Sequence, residues 1–399
     1  MSSVPDHPAQ SHVQQGVRVS AAAFEHSQRV SDHLHRCIAR AGGWLSFKDW
    51  MTEVLYAPGL GYYTAGSRKL AQRSDPDVRH PGGDFVTAPE LSPAFGRTLA
   101  LQISQAMTQN GLTRILEFGA GSGQLAQDII EALHALGVHN FQYSILEISQ
   151  DLRERQQAKL PATAKVQWID TLPDTFEGIV LANEVLDAMP VHVLRWNDDA
   201  SGVLERGVIS LENDFAWQDR RAESHLEQTL RERMPALPGY TTEINLPAEA
   251  WTRTLASHLK RGLVLLVDYG FSRLEYYHPQ RNRGTLMCHI QHRAHDNPFF
   301  APGLQDITAH VDFSAVAASA HQSGLDVLGY TSQARFLLNA GLHDVLTHST
   351  DLQTTQAMRA VEKLVSEAEM GELFKVLALG RDIDPILQGF VRADRLHQL

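Results

Sequence analysis

At 399 residues, with a composition ordinary for a soluble globular protein, the chain can bury a large core organised as about two domains or as one domain with insertions. A formal net charge of -11 argues against a strongly basic nucleic-acid surface, because neutralising a phosphate backbone demands clustered Lys and Arg, and it leaves room for a cationic partner. Two cysteines, Cys37 and Cys288, stand outside any CxxC pattern and are too few for a disulfide framework, and no apolar run is long enough for a membrane span.

Residues 1–23, rich in Ser, His, Gln and Val, lack the basic-then-apolar order of a secretory signal and read as a disordered tail. With the reducing compartment that the cysteines suggest, this points to the cytosol. Region 24–110 is expected to be helical and looped, packing on the domain that follows. A helical pattern runs through Val30, Leu34 and Ile38 to the stop at Gly42-Gly43, and Ser46 is the expected N-cap of a second helix that carries Trp50, Met51, Val54 and Leu55. After Gly61-Tyr62-Tyr63 and a charged loop, 81–93 holds too many prolines and glycines for regular structure but sets polar groups among apolar ones. Loops of that kind build sites, and Asp84, Thr87 and Glu90 are its candidates. A helix through Phe95, Leu99, Ile103 and Met107 leads into the next region.

The most informative stretch is Arg114-Ile115-Leu116-Glu117-Phe118-Gly119-Ala120-Gly121-Ser122-Gly123, followed by apolar residues at helical spacing, Leu125, Ile129, Leu133 and Leu136. It reads as strand, glycine turn, helix. Glycines let the turn visit positive φ and let a ligand approach the backbone without meeting a Cβ. The dinucleotide fingerprint G-x-G-x-x-G does not fit, since Gln124 stands where it requires glycine and Glu117 would repel a pyrophosphate. A ligand with an ammonium and a sulfonium fits better. S-adenosylmethionine (SAM) is such a ligand: Glu117 would accept from its amino group, and Gly119, Gly121 and Gly123 would lie along its methionine and ribose. The stretch looks like motif I of class I SAM-dependent methyltransferases.

Strands and helices then alternate as in a doubly wound α/β sheet, so 111–345 is expected to be a Rossmann-like SAM-binding core. Glu147 closes the second strand, roughly 20 residues past the turn, where an acidic side chain grips ribose hydroxyls in this fold class. Asp170, after the third strand, is a candidate acceptor for the adenine amine. Asn183 and Glu184 end the fourth strand on the carboxyl edge, where ligands bind in open parallel sheets. From 191 to 245 the pattern becomes a β-meander insertion that shapes substrate access. The strand 262–271 ends in Asp268 and Tyr269, 284–293 alternates as a more exposed strand, and 325–330 supplies the last one. His292, His295, Asp296, His310 and Asp312 match no metal-ligand spacing, so no metal is assigned, and His295 and His310 are expected in a loop that closes over SAM or substrate. Residues 346–399 are expected to be a C-terminal helical region, with a helix over 358–379.

Taken together, Gly61-Tyr62-Tyr63, Gly83-Asp84-Phe85-Val86-Thr87-Ala88-Pro89-Glu90, 117–123, Asn183-Glu184-Val185-Leu186-Asp187-Ala188 and 305–313 resemble the MidA family of SAM-dependent methyltransferases over roughly 30–390. That family includes the mitochondrial arginine methyltransferase that assists respiratory complex I assembly. The resemblance implies a methyltransferase core with helical additions, SAM as cofactor, and a protein substrate, a respiratory-complex subunit being one such partner. A homodimer is a further expectation, and the tail favours a bacterial cytosol over the mitochondrial matrix.

Methyl transfer is a displacement at a carbon already activated by the sulfonium, so the protein mainly positions the acceptor and excludes water. An arginine acceptor needs a carboxylate to hold its planar guanidinium. Glu184 and Glu90 are the candidates, with Asn183 steering the nucleophile. The Asn183-Glu184 pair lacks the prolines that many N-methyltransferases carry after an Asn or Asp at this place, which leaves acceptor chemistry open. A small-molecule methyltransferase and a SAM-binding assembly chaperone without turnover are the alternatives, and a nicotinamide-dependent dehydrogenase ranks behind both.

Overall fold

A computed structural model describes residues 19–65, 87–161, 165–212 and 214–399. Its centre is an eight-stranded sheet: β1 (Arg114–Phe118), β2 (Gln142–Leu146), β3 (Val166–Ile169), β4 (Phe176–Asn183), β5 (Leu259–Phe271), β6 (Val311–Asp312), β7 (Asp326–Ser332) and β8 (Phe374–Arg381). The order across the sheet is β3-β2-β1-β4-β5-β8-β7, and the short β6 pairs with the end of β5. Strands β1 to β5 run parallel; the central β1, β4 and β5 are largely buried on both faces and read as apolar runs, whereas the edge strand β3 is partly exposed. The chain runs outward from β1 to β3 and then returns to β4 beside β1. That reversal opens a crevice at the carboxyl ends of β1 and β4, where Phe118 pairs with Ala182.

Helices cover both faces. Pro93–Asn110, Gln124–Ala135 and Gln333–Ala340 pack on one side through Phe95, Leu99, Ile103, Leu125, Ile129, Phe336 and Leu337. Leu246–His258 and Phe313–Gln322 cover the other through Leu255, Phe313 and Val316. No helix among the described residues is long and apolar enough to cross a membrane.

Three departures from the sequence reading matter for the site. The first helix begins at Ala21, capped by Ser20, so the end of the expected 1–23 tail is ordered, while 1–18 lie outside the described residues. Ser46 does cap Phe47–Tyr56, exchanging hydrogen bonds with Asp49. The two residues before that helix, Leu45–Ser46, also pair with Val203–Ser210. The meander strands His192–Trp196, Val203–Ser210 and Phe215–Arg221, with Thr241–Ile244, thus form one sheet tied to the N-terminal region, and Trp50, Phe47 and Phe215 fill the space between.

The second departure is the segment expected as one strand over 284–293. Gln291 and His292 adopt positive φ (47° and 61°), which folds it into a hairpin of Met287–Ile290 and Arg293–His295, joined by Asp306–Thr308. The third is β8. The helix expected over 358–379 is a helix only at Thr355–Val365 and Met370–Leu373, and Phe374–Arg381 instead runs antiparallel between β5 and β7. Both faces of β8 are buried, so its sequence carries no alternation, and periodicity cannot distinguish it from a buried helix. The C-terminal region is therefore part of the central sheet. Leu377 is fully buried and registers with Leu266 on one side and Tyr330 on the other. Leu377→Ala should lower stability by about 2–5 kcal/mol in urea unfolding, whereas a loss below about 0.5 kcal/mol would mark β8 as peripheral.

Candidate functional site

A cleft of about 680 Å³ opens at the carboxyl ends of β1, β2, β4 and β5. Its two halves differ in chemistry. One half is built by the glycine turn. Gly119, Gly121 and Gly123 all have positive φ (58°, 53° and 83°), as the sequence requires, but their surroundings differ. A Cβ on Gly121 would meet nothing within 4 Å and would enter the cleft, whereas one on Gly123 would press on Gln156 at 3.3 Å. Gly121 is thus open to a ligand. Gly123, expected beside the cofactor, does not line the cleft and instead lets Gln124–Ala135 start against Gln150–Lys159.

Glu117, 2% exposed, accepts a hydrogen bond from the Tyr143 hydroxyl at 2.8 Å. Burial raises its carboxyl to about 7, against the lowering by Tyr143, with the Glu147 carboxylate adding to the rise. Glu147 follows β2 and is held through both of its oxygens. Its Oε1 accepts from the Ser149 N–H at 2.9 Å and its Oε2 from Gln156 at 3.0 Å, while Gln156 also donates to the Gly121 carbonyl at 2.9 Å and accepts from Trp168. Glu90 lines the cleft as well. It hydrogen-bonds with Ser122 in the glycine turn, and with Thr87 it lines the same half. Asp170 is not brought to the cleft at all: it points to solvent and pairs with Arg153 at 2.6 Å. A carboxylate just beyond a short edge strand is free to find a local cation, which spacing alone cannot foresee. Asp84 lies outside the described residues.

The other half is acidic and aromatic. Strand β4 ends in Glu184, whose backbone takes a left-handed φ of 54° and whose N–H donates to Val267 at 2.9 Å. Such a conformation is costly for a residue other than glycine and is held only where the surroundings dictate it. Asn183 donates from its side chain to Glu184 Oε1 at 3.1 Å. Burial, with the Asp187 carboxylate beside it, pushes the Glu184 carboxyl up to about 8. Asp187 is 4% exposed, and Asp268 behind it is held by the N–H groups of Leu186, Asp187 and Tyr269 at 2.9–3.2 Å.

The sequence reading gave Asp187, Asp306, Tyr56 and Tyr63 no role, yet all four line this half. Tyr63 donates to Asp306 at 2.7 Å and stacks on Tyr56, whose hydroxyl donates to the Ala188 carbonyl at 2.9 Å. The signal was present in Gly61-Tyr62-Tyr63 and in Asp187 three residues past Glu184, but nothing in the spacing says that a helix-end tyrosine faces a strand-end acid. His310 also lines the cleft, edge-on to Tyr269 and stacked on Phe271, and burial lowers its imidazole to about 4. Asp312 turns away to cap Phe313–Gln322 and accept from Tyr277. Among the described residues, three metal-capable groups gather only at His33, Cys37 and Glu53, none of which lines the cleft.

With this geometry in view, residues 98–331 match the profile of the family described as "Putative S-adenosyl-L-methionine-dependent methyltransferase". Among solved structures, the chain is similar to a "likely methyl transferase" of Burkholderia thailandensis bound to S-adenosylhomocysteine. The two are 47% identical with a TM-score of 0.89, covering 96% of this chain and 100% of that one. Among curated proteins it is similar to the mitochondrial protein arginine methyltransferase NDUFAF7 homolog of Drosophila melanogaster, 30% identical over 83% of this chain and 80% of that protein. The human protein arginine methyltransferase NDUFAF7 is 27% identical, covering 85% and 81%.

Because Glu117 is neutral up to about pH 7 in the folded protein but ionises near 4.5 when unfolded, its contribution to stability is complete below 4.5 and is lost as pH rises through 7. Glu117→Gln should therefore stabilise the unliganded protein at pH 8 by up to about 3 kcal/mol more than at pH 4. Paired denaturation curves at the two pH values measure the difference, and a pH-independent effect would contradict it.

Proposed function

Since the chain belongs to the MidA family of class I SAM-dependent methyltransferases and uses SAM as its cofactor, we propose that it methylates an arginine side chain of a partner protein. The observation that carries this reading is the pairing, in one half of the cleft, of the carboxylates Glu184, Asp187 and Asp306 with the rings of Tyr56, Tyr63 and Tyr269. A guanidinium is planar and cationic, so acids at its edge and aromatic faces beside it are complementary to it. The relatives' names as protein arginine methyltransferases support the same reading.

The residues of the other half fit SAM. The open space at Gly121 accommodates a ligand against the backbone, Glu117 takes the ammonium, and Glu147, with lone pairs to spare beyond its two internal bonds, takes the ribose hydroxyls. Thr87 and Glu90 close this half from above the glycine turn. When bound, SAM supplies an electrophilic methyl carbon whose C–S bond breaks as the acceptor nitrogen bonds to it, the electron pair staying on sulfur. The remaining work of the chain is to hold the acceptor in line and keep water out. Glu184 holds the guanidinium through charge-assisted hydrogen bonds, and Asn183 keeps Glu184 in place. A cation arriving beside Glu184 lowers its raised pKa, so acceptor binding releases a proton and strengthens as pH rises toward 8.

Two variants separate the halves. Gly121→Val should weaken S-adenosylhomocysteine binding by at least ~10-fold in calorimetry, equivalent to ~1.4 kcal/mol, while circular dichroism stays that of the native fold. Unchanged affinity would move the cofactor elsewhere. Glu184→Gln should spare cofactor binding and slow transfer roughly 30-fold or more. The decisive assay incubates the protein with labelled SAM and lysate from cells lacking it, then maps label by mass spectrometry. Label on small molecules, Lys or carboxylates instead of Arg would end the arginine reading and leave a methyltransferase.

A further inference from the structure

Resting on that reading, we infer that Asp187 is the group that takes the proton the acceptor nitrogen must lose. An arginine guanidinium enters with all its N–H groups in place, so the nitrogen that gains a methyl carries one hydrogen too many. That proton must leave to a base within hydrogen-bond reach, and afterwards to water. The cleft offers several carboxyls, and their surroundings separate them. Asp268 has both oxygens occupied by backbone N–H groups and is sealed behind the wall. Asp306 accepts from Tyr63, and Glu184 is engaged by Asn183. Glu90 and Glu117 belong to the cofactor half.

Asp187 accepts from Tyr269, but it differs from these in keeping one buried oxygen free. Its Oδ1 is buried yet has no hydrogen-bond partner among the described residues, although the residue lines the cleft. Leaving such an acceptor unpaired is unfavourable, and the arrival of a donor relieves it. Asn183 Oδ1, on the same wall, is unpaired in the same way and can fix a second N–H of the acceptor. The groups facing Asp187 are Glu184 on its own loop, Asp268 and Tyr269 from β5, Tyr56 and Tyr63 from the N-terminal region, and Asp306 from the small hairpin sheet. None is a cation. Burial consequently raises the Asp187 carboxyl to about 6, against lowering by Tyr269 and backbone N–H groups, which leaves it ionised at neutral pH and basic enough to accept a proton.

The test uses the full chain. With the arginine peptide saturating, so that the bound guanidinium holds Glu184 ionised, single-turnover transfer should fall on the acid side with an apparent pKa at or below about 6 in the wild type. Asp187→Asn should be slower by roughly 100-fold or more at pH 8 and should lose that acid limb, with S-adenosylhomocysteine affinity within about twofold of the wild type. A residue that only shaped the loop would change the rate without removing the limb. A second readout needs no turnover: with carboxyl-¹³C aspartate incorporated, which leaves Glu184 silent, Asp187 and Asp128 should both titrate near 6 in the S-adenosylhomocysteine complex, and the signal missing from Asp187→Asn is that of Asp187. Its midpoint should fall when the peptide binds. An acid limb that persists in Asp187→Asn, or no aspartate that responds to the peptide, overturns the inference. A wild-type protein that labels no arginine overturns the acceptor reading and this inference with it, so the two failures are told apart.

Discussion

The site depends on one electrostatic constraint: acidic side chains are buried together where parallel strands end. Glu117 follows from β1, Glu147 from β2, Glu184 and Asp187 from β4 and Asp268 from β5, and Glu117, Glu147, Asp187 and Asp268 are each less than a tenth exposed. Desolvation opposes ionisation of every one of them, and for Glu117, Glu184 and Asp268 a neighbouring carboxylate compounds it. The fold contains this by assigning each acid its own support: a tyrosine hydroxyl for Glu117, a turn N–H and Gln156 for Glu147, and three backbone N–H groups for Asp268. What is left incompletely supported is the set facing the open half of the cleft. A cation entering there relieves a strain that the unliganded protein carries.

This arrangement also explains why the glycine turn and the β4 end behave so differently although both lie on the same edge. The turn opens backbone to a ligand through a missing Cβ at Gly121, whereas the β4 end projects a side chain by forcing Glu184 into a left-handed conformation. One device makes room and the other aims a carboxyl. On the proposed reading, cofactor and acceptor are then handled by separate elements, with Tyr56 and Tyr63 of the N-terminal region lining the acceptor side.

Much of the α/β core was legible because parallel strands, glycine turn and helix each leave a local signature: the run 114–118, the spacing of Leu125, Ile129 and Leu133, the polar stop after each strand. That Glu117, Gly121, Glu147 and Glu184 would line one cleft is legible for the same reason, since the carboxyl ends of strands can be located from sequence. Misassignments occurred where a long-range partner decides the outcome. Asp170 has the right register but an arginine captures it, and Gly123 serves helix packing. Strand β8 was read as helix because its burial on both faces comes from β5 and β7, which its own sequence does not reveal. Tyr63 and Asp306 meet across elements far apart in the chain, and no spacing rule connects them.

The position of β8 bears on how the protein is made. Strand β5 is the long, apolar spine of the sheet, and it is synthesised well before the strand that covers its second edge. Until Phe374–Arg381 emerges, a nascent chain therefore exposes a row of unpaired backbone groups flanked by Leu263, Leu265 and Val267, the kind of open template on which chains pair wrongly with one another. Sheet closure is deferred to a late moment of translation, which makes this interval the one in which holdase chaperones would matter most.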